Sequence, residues 1–302
     1  MATHTDGPGP SPDPTPDPAG GPAPGPRGRA ARGAEVPGST AVPAPRSPGG
    51  PLSRRLLLVE LVVVLALSLG RSAVYSVVNL LEAATAPGGL AGQTASMNGS
   101  YAPQRPWFDL AYQLLAFGFS LVPVLLAGYL LVRSGVGLRE LWARGGAWLT
   151  GLDLARGAAI AAGVGSVGVA FYLVMHALGL SLTVVPDNLP DVWWHIPVLV
   201  LSALENAVVE EVLVLGYVLV RLRQLGLGDL TAIVVAAVLR GSYHLYQGLG
   251  GFVGNLVMGL LFGWLYRRWG RVMPLVVAHT LLDIGAFVGY AVLAGQVSWL
   301  PT

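Results

Sequence analysis

The sequence contains no cysteine and no lysine. The first absence excludes disulfides, thiolate zinc sites and a cysteine nucleophile. The second leaves all 18 basic residues as arginine, which together with heavy use of Ala, Gly and Pro points to a GC-rich bacterial genome. Charge of either sign is scarce, with Asp, Glu, Lys and Arg making up 11% of the 302 residues against roughly 25% in a soluble domain. Hydrophobic residues reach 53% and mean hydropathy is +0.62, more apolar surface than one aqueous core hides. Apolar runs near the ~20 residues that cross a bilayer recur from residue 55 onward. The expected class is all-α, a polytopic helical bundle whose surrounding partner is membrane lipid. The net charge of +2 is no nucleic-acid footprint, because the arginines gather at helix ends instead of forming a stripe.

Residues 1–50 are a different polymer. The stretch "PGPSPDPTPDPAGGPAPGPRG" has too few apolar groups to offset chain entropy, so a disordered Pro/Gly-rich cytoplasmic tail is expected. No apolar stretch or cleavage pattern of a signal peptide stands near the start. Residues 51–302 form the expected transmembrane domain, with a polar-residue-bearing core over 196–290.

Seven spans, or eight, fit this domain, roughly at 55–80, 108–133, 154–180, 196–220, 231–247, 251–267 and 272–296. Arg54 and Arg55, then Arg133, Arg139, Arg144 and Arg156, then Arg221 and Arg223, and finally Arg267, Arg268 and Arg271 fall at connections on one side. The positive-inside rule then puts the N-terminus in the cytoplasm of a bacterial inner membrane. Trp193, Trp194, Tyr266 and Trp269 stand where interfacial aromatics are expected,.

Against this background a few residues are expensive: Arg71, Glu205, Glu210, Glu211, Arg240, His244, His279 and Asp283, with Asn206 and Asn255 as milder cases. A charge at mid-membrane costs about 2.5–3.5 kcal/mol on insertion scales, so each needs a partner, water or a task. At 1.5 Å per residue from the arginine-marked ends, Glu210, His244, His279 and Asp283 lie roughly 16, 20, 12 and 18 Å deep, in one layer. His279 and Asp283 stack at i and i+4, as do Asn206 and Glu210, whereas adjacent Glu210 and Glu211 diverge by about 100°. A carboxylate, two imidazoles and an Asp around a water suit amide hydrolysis: the desolvated carboxylate serves as general base and an imidazole steadies the developing oxyanion. Gly250, Gly254, Gly259 and Gly263 read as close helix packing,.

The segments "EEVLVLG" from Glu210, "RGSYH" ending at His244 and "HTLLD" from His279 resemble the three motifs of the CPBP family, the CAAX proteases and bacteriocin-processing enzymes. The resemblance spans about residues 196–290. It implies a CAAX-protease-like bundle and an intramembrane endopeptidase in which Glu210 activates water, His244 assists, and His279 with Asp283 stabilise the oxyanion. Glu211, Arg240, Asn206 and Asn255 are the expected supporting residues. Family members are also described as metalloproteases, and Glu210, His244 and His279 would be the ligands of a divalent metal such as zinc. The implied substrate is a membrane-embedded or membrane-adjacent peptide or protein.

Two positions depart from the family pattern. Leu215 stands where an Arg is expected after the double Glu, and Arg240 stands where a Phe is expected before His244. The sequence reading is a swap, in which the guanidinium that would pair with Glu211 from its own helix arrives instead on the neighbouring one. Two other classes stay open at this point: a proton-coupled transporter, which uses similar residues but usually carries internal repeats that this chain lacks, and an inactive scaffold or immunity protein.

Overall fold

A computed structural model describes residues 52–143, 146–293, 296 and 297. The expected disordered tail over 1–50 lies outside the described residues. The first helices are α1 (Arg54–Ala66) and α2 (Leu69–Thr85), followed by a short strand β1 (Thr94–Asn98). Next come α3 (Pro106–Ser120), α4 (Val122–Arg133), α5 (Leu138–Ala143), α6 (Gly151–Ala177) and strand β2 (Thr183–Asp187). The last third holds α7 (His195–Glu211), a π-helical stretch (Val212–Val218), α8 (Leu219–Gln224), α9 (Asp229–Ser242), α10 (Leu249–Trp269) and α11 (Met273–Leu293).

Local chemistry sets several boundaries. The Ser53 hydroxyl accepts the Leu56 amide and opens α1, and Thr150 with Asp153 forms a capping box at the start of α6,. At Leu67 and Ser68 the chain bends by 55° between α1 and α2, and the Ser68 hydroxyl donates to the Val64 carbonyl there. Gly270, in the left-handed region at φ 64°, ends α10 and lets the chain turn directly into α11,.

The molecule is a helical membrane protein. Among the described residues four segments are long and apolar enough to cross a bilayer: Pro106–Arg133, Gly151–Ala177, Leu249–Trp269 and Met273–Leu293. The bent α1–α2 pair makes a fifth if it is one span. The expected count of seven, or eight, is not confirmed by length and composition. α9 has 14 residues, about 21 Å of helix, short of a ~30 Å hydrocarbon core. The continuous stretch from α7 to α8 carries Glu205, Glu210, Glu211, Arg221 and Arg223, too many charges for a lipid-facing span. α6 shows the opposite character: Val167, Val169 and Val174 are exposed by the protein and form an apolar surface suited to lipid.

The all-α expectation also needs an addition, because β1 and β2 pair in parallel with Thr94 opposite Thr183. They come from the two connections that the alternating topology puts on the same side of the bundle. The aromatic assignment changes too: Trp193 is exposed, but Trp194 is packed with Val198, Leu199 and Phe287, and Tyr266 is buried in the main core.

The core gathers around the stretch from α7 to α8, flanked by α9, α10 and α11. Close packing of α10 on α9 depends on missing side chains: a Cβ on Gly259 would stand 2.9 Å from Ala237 Cα, and one on Gly263 would stand 2.7 Å from Ile233. Toward the α1 start, Glu60 ties three helices together. It pairs with Arg133 and, at 2.9 Å, with the fully buried Arg221, which also bonds Ser134 and the Leu130 carbonyl.

Candidate active site

Four elements bring the membrane-disfavoured residues together. Glu205, Asn206, Glu210 and Glu211 come from α7, Arg240 from α9, Tyr243 and His244 from the turn that follows it, and His279 and Asp283 from α11. The π-helical stretch begins immediately after Glu211. Such wide turns recur at functional sites, because the extra residue re-aims the helix faces on either side.

A cavity of about 660 Å³ is walled by Glu205, Asn206, Glu210, His244, His279 and Asp283. Arg71, Gln113, Ser202, Tyr243 and Tyr246 add to its polar lining, and Met97, Asn98 and Gly99 line it too. The three motif residues Glu210, His244 and His279 thus share one space. Arg71, unassigned from the sequence, is exposed on this wall. Glu205 also reaches the wall.

Arg240 organises the site's floor. It is wholly buried, with Nη1 donating to Glu211 Oε1 at 2.6 Å and Nη2 standing 3.3 Å from His279 Nδ1 and 3.4 Å from Glu210 Oε2. The expected exchange of partners between helices is present in this geometry: the guanidinium beside Glu211 comes from α9, and Leu215 is a buried apolar residue. Glu211 Oε1 also accepts from His279 Nδ1 at 2.8 Å, so Glu211 is enclosed by a cation and an imidazole. Glu210, the less buried of the two acids, has Oε2 fixed by the Tyr243 hydroxyl at 2.7 Å, which leaves Oε1 to the cavity.

The imidazoles are oriented by different means. His244 Nδ1 lies 3.0 Å from the Arg240 carbonyl; donation to that oxygen leaves the Nε2 lone pair facing the cavity. His279 is gripped through Nδ1 by Glu211, and its Nε2 is 3.6 Å from Asp283. Asn206 donates to Asp283 across α7 and α11 at 3.4 Å. Asn255 does not join the group. Its amide bonds the Gly251 carbonyl of its own helix, one turn back, and this expected supporting residue does not line the cavity.

Tyr243 is a cavity residue, bonded to Glu210, that sequence reasoning missed. On a continued helix it would point about 100° away from His244. Because α9 stops at Ser242, the chain turns, the two rings stand 4.7 Å apart and both reach the cavity. The adjacent "YH" pair was visible, but the helix end that makes it convergent was not.

The donor set does not fit a metal ion. Among the described residues no three His, Asp or Glu side chains are grouped to hold one. Glu211 and His279 Nδ1 are already committed to each other and to Arg240, and that fixed cation beside Glu210 opposes a second positive charge,. The chemistry is therefore derived from the protein's own groups.

Residues 192–285, just under a third of the chain, match the family model described as type II CAAX prenyl endopeptidase Rce1-like. The matched segment contains every cavity residue contributed by α7, by the turn after α9 and by α11. No curated protein and no solved structure matches the chain.

Proposed function

Residues 192–285 belong to the CPBP/CAAX protease family, and from that premise we propose that the chain is an intramembrane endopeptidase that cleaves a membrane-embedded or membrane-adjacent peptide with a glutamate-activated water. The observation that carries the reading is the shared cavity, into which Glu210, His244 and His279 all open.

In this mechanism Glu210 Oε1 takes a proton from water held between it and His244 Nε2. Tyr243 and Arg240 keep the carboxylate from swinging away. The water oxygen attacks the scissile carbonyl, and negative charge gathers on the carbonyl oxygen. His279, steadied by Glu211, donates from Nε2 when protonated and stabilises that oxyanion. Asp283, held by Asn206, stands beside that imidazole. Glu210 then returns its proton to the departing amine nitrogen as the carbon–nitrogen bond breaks. Arg240 serves as a positioning residue, because it acts through Glu210, Glu211 and His279.

The arginine distribution supports a cytoplasmic N-terminus in a bacterial inner membrane,, and the family resemblance supports a peptide-maturation or bacteriocin-related role. The test is cleavage of a library of membrane-adjacent peptides by the purified full chain in lipid nanodiscs. Cleavage is expected from the wild type and is expected to vanish in Glu210→Gln and His244→Ala proteins that remain folded. Cleavage that survives in folded Glu210→Gln would overturn the assignment.

A further inference from the structure

A peptide bond cannot be attacked while its segment is helical, because the carbonyl is enclosed by its own turn. Unwinding frees amide and carbonyl groups that are costly to leave unpaired at low dielectric. The enzyme must therefore offer backbone partners close to its cavity, and the short sheet has such an edge.

The sheet consists of β1 and β2 alone. The Thr183 amide donates to the Gln93 carbonyl, and Thr94 is the register partner of Thr183. Thr183 thus turns toward β1. By parallel-ladder alternation Ala95 directs its backbone groups to β2, and Thr94 and Ser96 direct theirs outward; the outward series ends there, because the Asn98 carbonyl accepts from the Asn188 amide on the β2 side. No backbone partner meets Thr94 or Ser96 on that side among the described residues, and both residues are exposed.

This edge is continuous with the cavity. Ala95 packs in a small cluster with Leu182 and Tyr246, and Tyr246 stacks against His244. Met97 and Asn98, the last residues of β1, wall the cavity itself. The other border of the sheet is tied to the His244 turn: the Leu182 amide donates to the Gln247 carbonyl, and Ser181 bridges Gly248. Strand and catalytic turn are thus joined, and the end of β1 and Glu210 line the same cavity.

We infer that the outer edge of β1 is the substrate-docking strand, on which an unwound peptide pairs through Thr94 and Ser96 as a third strand that delivers its scissile bond to the cavity. This rests on the peptidase reading. Backbone pairing of this kind gives affinity with little dependence on substrate side chains.

Two measurements test it, both on a peptide that the full-length wild type cleaves. Ser96→Pro deletes the outward amide and leaves the ladder to β2 intact, a placement that edge strands tolerate. KM is expected to rise roughly 3- to 10-fold, the scale of one or two lost backbone bonds, with kcat within about twofold. On the unaltered protein, methylating the peptide's amides one at a time should raise KM at alternate positions. Unchanged KM in folded Ser96→Pro, or methylation effects without a two-residue period, would overturn the docking strand. Absence of any cleavage by wild type would instead remove the peptidase reading, so the two failures are distinguishable.

Discussion

Replacing Arg240 by Phe restores the residue type expected from the family pattern and removes the one guanidinium among Glu210, Glu211 and His279. Glu211 is fully buried and receives the 2.6 Å bond from Arg240 Nη1. Removing one partner of a buried ion pair costs about 3–5 kcal/mol, because the other charge is left without compensation. At roughly 2–4 °C per kcal/mol for a chain of this size, the unfolding midpoint should fall on the order of 10 °C. Leu215→Arg, added to Arg240→Phe, returns a guanidinium from one turn beyond Glu211 on the π-helical stretch. Leu215 is 1% exposed, so the longer side chain carries an overpacking penalty of about 1–3 kcal/mol, and recovery should be partial. The assay is heat-induced unfolding in detergent, followed by peptide cleavage in nanodiscs. A midpoint unchanged in Arg240→Phe would refute the ion-pair reasoning. A double variant no more stable than the single one would refute the exchange of Arg between helices.

Tyr243→Phe deletes the 2.7 Å bond to Glu210; a hydrogen bond to a charged group contributes about 1.5–3 kcal/mol, so kcat should fall roughly 10- to 100-fold with KM little changed in steady-state cleavage. Gly259→Val forces side-chain atoms against Ala237 Cα and Arg240 Cδ and should lower stability by about 1–3 kcal/mol, seen as an earlier unfolding midpoint. Glu60→Gln leaves the buried Arg221 without its counter-charge and should destabilise by about 3–5 kcal/mol. Because none of Glu60, Arg133 and Arg221 lines the cavity, KM at a temperature where the variant is folded should stay at the wild-type value.

The cavity group was legible from the sequence because lipid makes polar residues conspicuous: Glu210, His244, His279 and Asp283 stood out as charges and imidazoles that a span would discard. Their convergence followed from depth counting and helix-face arithmetic, which needs only the 3.6-residue period. What escaped was set by contacts between distant segments. Nothing local announces that β1 and β2 pair, since their partners are 89 positions apart, Thr94 with Thr183. The early stop of α9 at Ser242 escaped as well, because "LRGSYHLYQGLG" contains no proline and remains apolar enough to pass for a span. Trp194 looked interfacial by type, but packing against Phe287 decides its place. Asn255 looked like a supporting residue because it is a polar side chain within a span, yet its amide bonds its own helix.

The direct test of a Glu210-activated water is a single-turnover cleavage in water labelled with heavy oxygen, with enzyme in excess over peptide. The label should appear in the new carboxyl terminus of the product, and Glu210 should stay unlabelled. Product without label, with heavy oxygen found on Glu210 after proteolytic mapping, would mean that the carboxylate attacks the carbonyl itself and would contradict the mechanism.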